Sequence, residues 1–161
     1  MGRKLRVLVV DDSAFARSII ARLLREDPEL EVVGLARDGV EAVAQVRALR
    51  PDVVTLDVTM PQMDGLSALE RIMAECPTPV VMVSSLTGTE TETTLRALEL
   101  GAVDFFLKGS AVGLVGGHGT QDDLRGKVKL AAGVDRAALR PGGWRRWSSQ
   151  RSRWRAGGCA Y

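Results

Sequence analysis

Asp11 and Asp12 stand side by side directly after the apolar run Val7-Leu8-Val9-Val10. Two like charges about 4 Å apart at an effective dielectric of about 20 repel by roughly 4 kcal/mol. The pair therefore needs solvent or a counter-charge. A third carboxylate, Asp57, closes the run "DVVTLD", Ser84 closes "PVVMVS", and Lys108 follows "VDFFL". Three carboxylates without histidine or cysteine make a hard oxygen donor set suited to a divalent cation. Mg²⁺ fits better than Ca²⁺, because few protein ligands leave room for water and phosphate. Such an ion would offset the repulsion of the pair. Lys108 would add a second positive charge, Ser84 a hydrogen bond, and Asp57 could then act as the nucleophile, as carboxylates do in aspartyl-phosphate chemistry.

This chemistry requires that residues scattered over about a hundred positions meet. Five strand-like runs, 5–10, 30–36, 52–57, 79–84 and 103–107, alternate with segments of helical period. Ser13 is placed to cap a first helix with Phe15, Ile19, Ile20, Leu23 and Leu24 on its apolar stripe. Val40, Val43, Ala44 and Leu49 mark a second helix, and Leu66, Leu69, Ile72 and Met73 a third. Thr87 with Glu90 predicts the start of a fourth, ending near Gly101. Thr120 with Asp123 predicts the start of a fifth, carrying Leu124, Val128, Ala131 and Val134. The strands are near-continuously apolar, as in a parallel sheet covered on both faces. The expected fold is α/β: a flavodoxin-like (βα)₅ doubly wound parallel sheet of strand order 2-1-3-4-5. Every strand then ends at one edge, with the first and third as neighbours, and Asp57 falls beside Asp11 and Asp12.

The 161 residues carry a net charge of +2, 45% hydrophobic and 26% charged residues, ordinary for a globular chain. Five of the 22 basic residues (Arg145, Arg146, Arg151, Arg153, Arg155), none of the 20 acidic ones and all three tryptophans lie in 141–161. Composition changes at Pro141-Gly142-Gly143, so the expected organisation is a body over 1–140 and a basic Trp/Arg-rich tail over 141–161, disordered. Arginine interleaved with tryptophan could bind single-stranded nucleic acid, but the bland alternative, a frameshifted or truncated gene end, is favoured. Nucleic acid is not an expected partner. No apolar run is long enough to span a membrane, the N-terminal apolar stretch runs into two aspartates rather than a cleavage site, and two cysteines make no disulfide framework. A cytoplasmic location is expected. "GLVGGHGT" (113–120) lacks the Gly-Lys-Ser/Thr of a P-loop and reads as a flexible linker, with His118 idle inside it.

The acidic pair after strand one, "DVTMPQMDG" from Asp57 to Gly65, serine after strand four and lysine after strand five resemble the receiver domain of two-component response regulators, over residues 5 to about 139. The resemblance implies that Asp57 takes a phosphoryl group from a histidine kinase and that Asp12, Asp57 and the Thr59 carbonyl ligate Mg²⁺. It further implies that Asp11 orients a water on the ion, and that Ser84 and Phe105 form a switch pair. "DDSAFARSII", "LDVTMPQMDGLSALERIM", "PTPVVMVSSLT" and "GAVDFFLK" are more narrowly similar to the regulatory half of the chemotaxis protein-glutamate methylesterase. That likeness implies a chemotaxis-type kinase as partner, with the family's effector domain or chemoreceptors as further partners. No hydrolase domain and no G-x-S-x-G elbow is legible, so no esterase activity is expected of these residues. The alternatives are a methylesterase/glutamine deamidase fragment and a nucleic-acid-binding regulator. Receivers usually place proline after the lysine; Gly109 stands here, and a trans bond is expected because a non-proline cis bond costs about 2.5–4 kcal/mol.

Overall fold

The computed structural model describes residues 3–58, 63–84, 91–107, 118–134 and 139; for 84, 91–94, 107 and 118–123 it describes the backbone. The strands are β1 (Leu5–Val10), β2 (Leu30–Ala36), β3 (Val53–Asp57), β4 (Val80–Ser84) and β5 (Asp104–Leu107). Between and after them run α1 (Ala14–Arg25), α2 (Gly39–Leu49), α3 (Gly65–Glu75), α4 (Thr91–Leu100) and α5 (His118–Ala132). All pairings are parallel, in the order β2-β1-β3-β4-β5. The expected topology is therefore the observed one. It follows from right-handed crossovers that reverse direction once, between β2 and β3.

The central strands explain why the sheet forms. Val7 to Val10 and Val53 to Leu56 are buried, as a parallel strand covered on both faces must be. α1 packs beside α5, whereas α2, α3 and α4 lie in a row, so each face of the sheet has its own helical layer. Ile20, Leu23 and Leu24 of α1 enter the core, as do Leu69, Ile72 and Met73 of α3 and Leu124, Val128 and Ala131 of α5. α4 ends at Gly101, whose φ of 117° is the left-handed conformation that favours glycine.

Three helical expectations need correction. Phe15 is 74% exposed, because the first turn of α1 starts where β1 has already ended. In α2 the buried residues are Gly39, Ala42, Val43 and Val46, while Val40 is 55% exposed and Ala44 faces solvent. The apolar stripe of that helix is ambiguous by one position, and packing against β1, β2 and α3 decides it. α5 begins at His118, two residues before its capping signal, so His118 belongs to a helix rather than a linker. The expected α4 start at Thr87, the Lys108–Gly109 bond and the tail lie outside the described residues.

An ionic cluster ties α5 to the sheet edge opposite the strand ends. The Lys129 ammonium lies 2.6 Å from Asp27 and 2.9 Å from Glu29. Burial pushes the Asp27 carboxyl up, but the hydrogen bonds from Lys129 and the Glu29 N–H, with the Lys129 and Arg125 charges, outweigh it and hold Asp27 below its ordinary value. Hydrogen bonds to Asp27 and Glu29 hold Lys129 above its own. A depressed Asp27 contributes stability above its unfolded value of about 3.9, lost as pH falls through the folded one. A raised Lys129 contributes below about 10.4, lost as pH rises through the folded value. Lys129→Met should therefore cost about 1 kcal/mol at pH 7, a partly exposed pair being worth less than a buried one. The cost should shrink at pH 3, and urea unfolding at both pH values checks this. An equal cost at pH 3 and pH 7 would show that the lost contacts are not ionic.

The Thr55 hydroxyl, buried in β3, has no hydrogen-bond partner among the described residues. A buried unsatisfied hydroxyl costs about 1–3 kcal/mol. Thr55→Val is expected to stabilise by about 1 kcal/mol, raising Tm by about 2–4 °C; a lower Tm would mean that the hydroxyl is satisfied.

Candidate phosphoacceptor and metal site

β1 and β3 deliver their last residues to one place. Asp57 closes β3, and β1 continues into Asp11, whose N–H bonds the Ala36 carbonyl at 3.0 Å and so extends the ladder by one residue. Carboxylate oxygens of Asp11, Asp12 and Asp57 all lie within 4.8 Å of one another. Asp11 and Asp57 are buried, whereas Asp12 is exposed. The acidic pair of the sequence thus divides its labour, one carboxylate inside and one at the rim.

Local hydrogen bonds fix the β1–α1 turn. Asp11 Oδ1 accepts from Ser13 N at 2.9 Å, Ser13 Oγ caps α1 by accepting from Ala16 N at 3.2 Å, and Arg17 Nη1 donates to the Asp11 carbonyl at 2.6 Å. The expected Ser13 cap is present; the Arg17 contact was not anticipated. On the β3 side, Gly65 N donates to the Val58 carbonyl at 2.7 Å. Asp64 Oδ1 caps α3 by accepting from Ser67 N at 2.8 Å. The start of α3 is thereby held against the end of β3.

Ser84 closes β4 and pairs in register with Leu107, while Phe105 pairs with Met82. Serine and aromatic residue therefore sit on adjacent strands of the same edge region, two positions apart. Phe105 is half-buried; its N–H donates to Asp104 Oδ1 at 2.8 Å and its carbonyl accepts from Lys127 Nζ at 3.1 Å. Thr59 and Lys108 lie outside the described residues. Lys127, which no motif or period singles out, also donates to Asp104 Oδ1 at 3.2 Å.

Against known proteins, the family model for the response regulator receiver domain matches residues 7–114. The chain belongs to that family. As a receiver it is 52% identical over 138 residues to a protein-glutamate methylesterase/protein-glutamine glutaminase of Pyrococcus abyssi, covering 86% of this chain and 38% of the relative. The chain thus spans well under half the length of that curated relative. The response regulator domain of Thermotoga maritima CheB superposes with a TM-score of 0.76 and 43% identity, covering 83% of this chain and 99% of that one. A chain of the CheX-CheY-BeF3-Mg²⁺ complex from Borrelia burgdorferi matches with a TM-score of 0.61 and 30% identity, covering 71% of this chain and 88% of that one. In sequence and fold this receiver is similar to the receiver domain of CheB. Among its described residues no helix is long and apolar enough to cross a membrane.

Proposed function

We propose that this receiver accepts a phosphoryl group on Asp57 from a histidine kinase of the chemotaxis type, in the cytoplasm. The observation that carries the proposal is the meeting of three carboxylates from the ends of β1 and β3 within 4.8 Å. An all-oxygen set with two buried members and one at the rim suits a hard cation that keeps part of its water. Asp11, Asp12, Asp57 and the Thr59 carbonyl would hold Mg²⁺, which when bound neutralises charge on the phosphoryl group during transfer. The Borrelia complex contains Mg²⁺ and BeF3, in keeping with that assignment. An Asp57 carboxylate oxygen forms the new bond to phosphorus while the bond to the donor imidazole nitrogen breaks. Lys108 contributes a positive charge to the phosphoryl oxygens and Ser84 a hydrogen bond. Phe105, on the strand beside Ser84, is the partner through which the change spreads along β5 and the helices around it.

We place the receiver over 1–140, with the buried Leu139 in support, and the Trp/Arg-rich residues 141–161 outside it. The identity to a methylesterase/glutaminase supports a regulated effector of that activity as a partner, with chemoreceptors beyond it. We assign no hydrolase chemistry to these residues. Intact mass after incubation with a small-molecule phosphodonor is the test. One Mg²⁺-dependent phosphoryl addition is expected, and no addition with the metal present would overturn the assignment.

A further inference from the structure

We infer that Arg17 is a positioning residue for the acidic site: its guanidinium fixes the Asp11–Asp12 peptide group, so that Asp12 is presented to a divalent cation shared with Asp11 and Asp57. The inference rests on the metal-site reading above. Arg17 Nη1 lies 2.6 Å from the Asp11 carbonyl oxygen, a short charge-assisted hydrogen bond. That oxygen, the Asp12 N–H and the Asp12 Cα share one rigid plane, so holding the oxygen sets the direction in which Asp12 leaves the strand. The rest of Asp11 is already fixed, through its N–H to Ala36 and its carboxylate to Ser13. Asp12, exposed at the rim, gains its orientation through this peptide.

The placement of Arg17 points the same way. It is the fourth residue of α1, in a first turn that contains no acidic residue. A cation there opposes the helix dipole, and helices ordinarily favour anions at that end. The cluster of carboxylates offsets this, and a guanidinium is never neutral in a protein. Charge and geometry then act in opposite directions on the ion. The positive charge of Arg17 alone repels a dication, so deleting it would tighten binding, whereas loss of positioning would weaken it. The sign of the change separates the two.

Mg²⁺ titration by calorimetry of the full chain, the parent beside Arg17→Met and Arg17→Lys, tests this together with metal-free thermal unfolding. Groups that orient metal ligands are typically worth 10–100-fold in affinity. Arg17→Met is expected to raise the Mg²⁺ Kd by about 10-fold. Arg17→Lys, which keeps the charge and N–H donors but loses the planar fork, should fall between Arg17→Met and the parent. At saturating Mg²⁺ the rate of labelling by the phosphodonor should return towards the parent's. A Kd that is unchanged or tighter in Arg17→Met overturns the inference, as does a lower metal-free Tm with unchanged Kd, which assigns Arg17 to helix packing alone. If Arg17→Met does not fold, an unweakened Kd in Arg17→Lys overturns it too. A parent that binds no Mg²⁺ overturns the metal site itself, and is distinguished by that.

Discussion

Asp57→Asn is expected to take up no phosphoryl group from a small-molecule donor with Mg²⁺, under conditions in which the parent gains one. Asparagine keeps the shape of the side chain and one carbonyl oxygen but loses the negative charge that makes the oxygen a nucleophile. The substitution should not act through unfolding. Carboxylate oxygens at the 4.8 Å limit of this cluster repel by roughly 3 kcal/mol per pair at an effective dielectric of about 20. Removing one of three charges relieves part of this, less at exposed Asp12. The variant should therefore remain folded without metal, with a cooperative melt, while labelling is lost. Intact mass and a thermal melt on the same samples read both effects. Equal labelling of variant and parent would place the acceptor elsewhere.

The strands and their order were legible because a parallel sheet buried on both faces imposes near-continuous apolar runs, and here each run ends in a polar group. The type and position of Asp11, Asp12 and Asp57 then sufficed to bring them together, since strand ends in such a sheet share an edge. Helix faces were less legible. Val40 and Ala44 continue an apolar period in α2 that packing does not use, and Phe15 extends the stripe of α1 beyond the strand beneath it. Contacts that run from a side chain to a main-chain atom left no sequence period at all. Arg17 to the Asp11 carbonyl and Lys127 to the Phe105 carbonyl depend on where two elements meet. A turn of backbone would point either group elsewhere with the same sequence.

Gly65 shows how closely a backbone approach supports the site, and Gly65→Ala is expected to cost about 3 kcal/mol, at the upper end for overpacking. A Cβ at Gly65, the first residue of α3, would run into the Asp57 carbonyl oxygen and come within 2.7 Å of Val58 Cα and 2.9 Å of the Asp57 carbonyl carbon. All three are main-chain atoms, so no flexible side-chain end can swing away. Either α3 lifts off the strand, breaking the 2.7 Å bond from Gly65 N to the Val58 carbonyl, or the backbone of the acceptor residue moves. Intrinsic helix propensity works in the opposite direction, favouring alanine by up to about 1 kcal/mol, so a fall in stability measures the clash. In a chain of this size 3 kcal/mol lowers Tm by about 6–12 °C. The same substitution at Gly126, where an added Cβ meets nothing within 4 Å, is the control and should raise Tm slightly. Because two of the three atoms met belong to Asp57, labelling of folded Gly65→Ala at saturating Mg²⁺ should be slower than the parent's, while Gly126→Ala keeps the parent's rate. An unchanged Tm in Gly65→Ala would mean that α3 can withdraw from β3 without loss, and that the close approach does not hold the acceptor in place.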